Sequence, residues 1–245
     1  MENSTQIYGI RAIIEAINAD KPIDKVFIQK DLKGDLIKEL ETLIRKNGIN
    51  SSYVPIEKLN RLTKGNHQGV IANISPIRFY TIEELVEKAT STKEAPLFLL
   101  LDQLSDVRNF GAIIRTAECT GVDGIIIQKK GAAPVTADTV KTSAGAAFKV
   151  PIAKVDHLKD AVYYLQASGI KIIAATEKTE TSIYDVSFKE GCAIIMGAED
   201  VGISPSILKA VDAKAKLPLL GEIGSLNVSV ACGVFLYEVV RQRTI

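Results

Sequence analysis

Leu97-Phe98-Leu99-Leu100-Leu101 carries no polar side chain, and four further strand-like runs follow it: Gly124 to Gln128, Ile170 to Ala175, Cys192 to Met196 and Ala215 to Leu219. A strand with one wet face alternates apolar and polar residues. Runs that are apolar throughout and separated by helical stretches point instead to a parallel sheet covered on both faces. The expected fold class is α/β, with a parallel-sheet domain over residues 96–245. Such sheets bind ligands in the loops at the carboxyl ends of their strands.

Upstream the pattern is different. Residues 7–18 place Ile10, Ile13, Ile14 and Ile17 at amphipathic spacing, which predicts a helix. Val26-Phe27-Ile28 reads as a strand, Leu36 to Lys46 as a helix closed by Asn47-Gly48, Ser52-Tyr53-Val54 as a strand, Ile56 to Leu62 as a short helix and Gly69 to Ile74 as a third strand. This α/β/α/β order makes a small domain over residues 1–75. Ser75-Pro76 and the polar Thr90-Ser91-Thr92-Lys93-Glu94 bracket residues 76–95, read as a linker with one amphipathic turn.

The 245 residues have a net charge of +1, so charge alone argues for no nucleic-acid partner. Residues 1–75 hold 11 Lys and Arg against 9 Asp and Glu, while residues 96–245 hold 16 of each, so any RNA surface must be local. No apolar run is long enough to span a bilayer, and Met1 to Gln6 lacks the basic-then-apolar order of a secretory signal. Cys119, Cys192 and Cys232, far apart and in apolar contexts, read with only two histidines as reduced core thiols of a cytoplasmic protein. They form neither a disulfide framework nor a metal site.

Near the end, Leu217-Pro218-Leu219 leads through Gly221-Glu222-Ile223-Gly224-Ser225-Leu226-Asn227 into the apolar Val228 to Tyr237 and the basic Arg241-Gln242-Arg243. Ser225 and Asn227 stand where a loop becomes a helix, and free amides there can hold a polar or anionic ligand. Read alone, Ser-x-Asn is an ordinary helix cap. Gly-x-Gly-x-x-Gly is absent, and Gly197-Ala198-Glu199-Asp200-Val201-Gly202-Ile203 has the glycine spacing of a phosphate loop without its lysine and hydroxyl residue.

Taken together, Leu101 to Ala117 (with Asp106, Asn109, Gly111 and Arg115), Ile195 to Gly202 and Leu217 to Ser229 resemble the SpoU (TrmH-like) class of RNA ribose 2'-O-methyltransferases. Lys141 to Pro151 resembles a further segment of the class. Tyr8-Gly9-Ile10-Arg11-Ala12 and His67-Gln68-Gly69-Val70 resemble its small RNA-binding extension, which has a ribosomal-protein-like fold. Val107 stands where the class often has proline, and Asp200 where it often has glycine.

The resemblance implies a C-terminal domain tied in a deep trefoil knot, S-adenosylmethionine as cofactor, and a homodimer paired through the knotted domain. It also implies a structured RNA substrate, foremost a guanosine of large-subunit ribosomal RNA, with no metal and no membrane. The alternatives are a transfer RNA ribose methyltransferase or a non-catalytic RNA-binding protein of the same fold. The cofactor's adenine is expected on main chain around Gly197, Leu217 and Leu226, with Thr176 and Ala198 nearby.

Methylation of a ribose hydroxyl needs a positioned proton acceptor and positioned neighbours. Arg115 is the implied centre, either as a base in a strongly perturbed site or as a clamp on an RNA phosphate. Asn109 would orient Arg115 or the ribose, Ser225 and Asn227 would hold RNA backbone or loop, and Glu199 would pair with a cation or bind substrate. Without the resemblance, Asn109 is a helix cap, Glu199 a solvated charge, and Leu217 and Leu226 core. His67 reads as an RNA contact or a structural hydrogen-bonding group, and His157 as surface.

Overall fold

A computed structural model of the chain describes residues 6–244. The reading of Met1 to Gln6 as free of a signal lies, all but Gln6, outside them. The chain divides into two compact units, the first running to Arg78 and taking in Val135–Ala137, the second holding Phe79–Pro134 and everything from Asp138.

The first unit is β1 (Gln6–Tyr8), α1 (Ile10–Asn18), β2 (Ile23–Gln29), α2 (Asp35–Lys46), β3 (Asn50–Val54), α3 (Ile56–Leu62) and β4 (Val70–Ile74). Its sheet runs β1-β4-β2-β3, with β4 antiparallel to β1 and β2, and β2 parallel to β3. Successive strand residues point to opposite faces, so Val26 and Ile28 join the α1–α2 core with Ile13, Ile17 and Leu40, while Phe27 packs with Leu59 of α3 on the other side. The expected helix over residues 7–18 is corrected at its start: Gln6–Tyr8 pairs with Ile71–Asn73 as a strand, and the helix begins after Gly9. Ile7 happens to fit the helical period as well as the strand one.

The second unit contains α4 (Ile82–Thr92), β5 (Leu97–Asp102), α5 (Val107–Cys119), β6 (Gly124–Gln128), α6 (Ala137–Thr142, whose first residue clusters with the first unit), β7 (Ile152–Val155), α7 (Leu158–Ala167), β8 (Lys171–Ala175), β9 (Cys192–Gly197), α8 (Pro205–Leu208), β10 (Ala213–Ala215) and α9 (Val228–Thr244). Its six strands are all parallel in the order β10-β8-β9-β5-β6-β7. The parallel sheet expected from the apolar runs is therefore present. Phe98, Leu100, Ile126, Ile172 and Ile195 face α4, α7 and α8, and α9 lies against β9 and α5. The strand expected over Ala215–Leu219 is corrected to Ala213–Ala215; Lys216 makes only an isolated bridge, and Leu217 to Asn227 is irregular.

Residues 76–95 are not a free linker. Thr81 caps α4 through a reciprocal pair, its Oγ1 accepting from the Glu84 amide at 3.2 Å while its own amide donates to Glu84 Oε2 at 3.0 Å. Ile82, Leu85, Val86 and Ala89 are then buried in the same core as the sheet. Each large apolar side chain so buried contributes about 1.5–3 kcal/mol. A fragment beginning at Phe79 is accordingly expected to unfold cooperatively, whereas one beginning at Pro96, stripped of α4, should show little or no cooperative transition. Equal thermal melts for the two would contradict this.

The cations at the end of α9 act locally. Arg243 donates to the carbonyls of Phe188 (2.9 Å), Ala95 (2.7 Å) and Glu190 (2.7 Å), and Arg241 forks onto the buried Glu238, holding its carboxyl below the usual range. Cys119 is exposed, not a core thiol. Burial pushes the thiols of Cys192 and Cys232 up to about 11 and about 12, which leaves both inert at neutral pH.

Candidate active site

The site is assembled where β5 and β9 end side by side, Asp102 opposite Gly197. Beyond Gly197 the chain folds back in a tight turn, with the Gly202 amide bonded to the Ala198 carbonyl at 2.8 Å and Gly202 in the left-handed region at φ 68°. Asp102 is fully buried, and its Oδ2 accepts from the Ser204 amide at 2.7 Å. Gln103 Nε2 donates to Ser204 Oγ at 2.9 Å. The base of the 198–204 turn is thus fastened to the end of β5, and its tip presents Glu199.

Glu199 Oε1 is the meeting point of three sequence motifs. It accepts from Asn227 Nδ2 at 2.6 Å, from the Val228 amide at 3.1 Å and from Asn109 Nδ2 at 3.3 Å. Asn227 Nδ2 also donates to Asn109 Oδ1 at 3.0 Å. Asn227 in turn caps α9, its Oδ1 accepting from the Ser229 amide and hydroxyl and from the Val230 amide. A carboxylate at that helix start is also favoured by the free amides and the dipole. Asn109 is not the cap of α5; that is Asp106, whose Oδ1 accepts from the Asn109 amide at 2.7 Å. Asp200 turns back on its own loop and bonds the Val201 amide.

Beside this cluster opens a cavity of about 700 Å³. Thr176, Gly197, Ala198, Leu217 and Leu226 all line it, as do Glu199 and Ser225. Gly197 leaves no room for a side chain, since a Cβ there would stand 2.2 Å from the Gly202 carbonyl carbon. Thr176 is buried at the cavity wall, its hydroxyl accepting from the Lys178 amide at 3.2 Å. Leu217 and Leu226 are wall, not core, and Leu226 is 42% exposed. Among the described residues no three His, Cys, Asp or Glu side chains converge as a metal site requires.

Residues 96–237 match the SpoU rRNA Methylase family, and residues 6–80 match the family described as RNA 2'-O ribose methyltransferase substrate binding. The chain belongs to the SpoU family. Among its SpoU relatives are a putative TrmH family tRNA/rRNA methyltransferase, YacO, of Bacillus subtilis, 32% identical over 97% of this chain and 95% of the relative, and one of Staphylococcus aureus, 34% identical over 98% and 96%. The crystal structure of the SpoU methyltransferase AviRb from Streptomyces viridochromogenes in complex with the cofactor AdoMet shares the fold, with a TM-score of 0.62 and 24% identity over 98% of this chain and 90% of that one.

Arg115 and Ser225 stand apart from the hydrogen-bonded cluster. Arg115 is exposed on α5, and among the described residues its guanidinium has no ion-pair or hydrogen-bond partner. Six residues separate it from Asn109, which turns it to another face of the helix, and the hydrogen bonds of the Asn109 side-chain amide run to Glu199 and Asn227. His67 is 9% exposed, with Nδ1 accepting from the Gly69 amide and Nε2 paired with Asn60, which is the structural role. His157 is exposed at the start of α7. The anchoring role of Asp102 is not legible in the sequence, because an aspartate ending a strand carries no sign of burial.

Proposed function

We propose that this chain transfers the methyl group of S-adenosylmethionine to a ribose 2'-hydroxyl of structured RNA, a guanosine of large-subunit ribosomal RNA, as RlmB does. The observation that carries the reading is the Asn109–Glu199–Asn227 cluster, whose Glu199 lines the cavity and which brings together residues from three separated motifs. A cavity of about 700 Å³ with main chain and small residues on its walls suits a ligand of nucleoside size. When bound, the cofactor supplies a sulfonium methyl group open to in-line attack.

The chain's own residues then orient the hydroxyl, whose proton leaves as the oxygen attacks, to Arg115 if that side chain is the base and otherwise to solvent. Gly197, Ala198, Leu217 and Leu226 offer main chain and a flat apolar slot to the adenine. Glu199, with Oε1 committed to three donors, keeps Oε2 for a hydrogen bond from the ribose. Ser225 holds the RNA backbone, and Arg115 clamps a phosphate with its fork. The same reading takes the C-terminal part as a deep trefoil knot, the enzyme as cytoplasmic and the protein as a homodimer. Val230, Val234 and Tyr237 form an exposed apolar stripe on α9 that supports the dimer, and light scattering at micromolar concentration should give twice the chain mass.

The test of function is methyl transfer from labelled S-adenosylmethionine to unmodified ribosomal and transfer RNA transcripts, with the product mapped for 2'-O-methyl ribose. Label in the large-subunit transcript is expected. Label only in transfer RNA would move the substrate, and label on a base would overturn the chemistry.

A further inference from the structure

We infer that Phe148 is a stacking platform for a nucleobase of the bound RNA, set beside Arg115; the inference rests on the RNA substrate proposed above. Residues 146–150 are Ala-Ala-Phe-Lys-Val, and Ala146, Ala147 and Val150 are buried while Phe148 is 64% exposed. A lone exposed phenylalanine needs no explanation. Its surroundings supply one.

The segment that carries Phe148 runs alongside α5 over the stretch that holds Arg115. At one end Thr142 lies on Gly111, so closely that a Cβ there would stand 1.9 Å from its Oγ1. At the other, Lys149 Nζ reaches Glu118 Oε1 at 3.1 Å. Between them the turn is held firmly. Gly145 adopts φ 84°, and the buried Ser143 donates to the Val140 carbonyl and accepts from the Ala147 amide. Phe148 ends the 3-10 turn Ala146–Phe148 on this fixed frame, so little conformational freedom is lost when a ring stacks on it.

The same face is cationic. Arg108 and Arg115 are seven residues apart on α5, two helical turns and about 10 Å. Both are exposed, and neither has a partner among the described residues. Lys141 is exposed close by in sequence to Thr142. An exposed aromatic ring on a segment that runs beside a helix carrying two such guanidinium groups is the combination that holds unpaired RNA, the ring taking a base and the cations the backbone. A protein partner would be a poorer match, because the exposed apolar area is one side chain, while Glu118 is already paired with Lys149 and leaves the two arginines free.

The experiment uses the full chain and an unmodified large-subunit ribosomal RNA transcript, with RNA affinity read by filter binding and transfer by single turnover. Phe148→Ala is expected to weaken RNA binding roughly 5- to 150-fold, the usual range for one stacked base. Phe148→Tyr and Phe148→Trp should stay within about threefold of the parent, since each keeps an aromatic face. Affinity for S-adenosylmethionine and the melting temperature should not move. Unchanged RNA affinity in Phe148→Ala would overturn the inference, and so would conversion of a dimer to a monomer, which would make the ring an interface residue. A parent protein that binds the transcript through Phe148 yet transfers no methyl group would leave the platform standing and sink the proposed reaction. A parent that neither binds nor methylates it would sink both.

Discussion

Arg115→Ala is expected to slow single-turnover RNA methylation by roughly a hundredfold to ten-thousandfold while leaving S-adenosylmethionine binding unchanged. The side chain is exposed on α5 and has no partner among the described residues, so its removal should not disturb the fold. Arg115→Lys should recover little of the loss, because an ammonium lacks the planar fork that takes two phosphate oxygens at once. If Arg115 is a clamp, the pH dependence of the remaining rate keeps the parent's shape and only drops. A limb of the profile that disappears in the alanine variant would assign it the base role instead. A near-parental rate would return Arg115 to a surface charge and remove it from the site altogether.

The second large effect is expected at a residue with no side chain. In Gly197→Ala the new methyl would sit 2.2 Å from Gly202 C, 2.4 Å from Ile203 N and 2.5 Å from Gly202 O, all backbone atoms. The 198–204 turn would have to move, yet its base is fastened through Ser204 to Asp102 and Gln103. Overpacking of this kind costs about 1–3 kcal/mol, and in a chain of this size that lowers Tm by about 2–12 °C. Displacing the turn also shifts the cavity wall and Glu199 together, so affinity for S-adenosylmethionine should fall at least about tenfold, as a loss of about 1.4 kcal/mol implies. Calorimetric titration and a thermal melt measure the two effects. An alanine variant that binds and melts like the parent would show that the turn is not rigidly held.

Much of this architecture can be read from the chain because buried parallel strands leave an unmistakable pattern, as in Leu97 to Leu101 and Cys192 to Met196. Short elements escape for the opposite reason. Three residues such as Gln6–Tyr8 or Ala213–Ala215 complete no period, and Ile152–Val155 at the sheet edge is too short to stand out. The helix Ile82–Thr92 looks like a connector because one face is Glu, Lys, Ser and Thr, and only packing reveals what Leu85 and Val86 do on the other. For the site, the convergence of Asn109, Glu199 and Asn227 spans 118 residues of sequence, so no local spacing can announce it. Resemblance found the three residues; their mutual bonds, and the anchoring by Asp102, required three dimensions.

The strand order has a consequence for how the chain reaches this state. β5 takes β6 as a neighbour after a short excursion, but its other edge waits for β9, which pairs Leu97 with Cys192 and Asp102 with Gly197. Until about a hundred residues more have been made, Leu97–Asp102 keeps one bare apolar edge. Closing so long a loop is slow, since its entropy must be lost before any contact repays it. An unpaired apolar edge is meanwhile a template for other chains. During synthesis, then, the central strand of this sheet depends on shelter that its own sequence cannot yet provide.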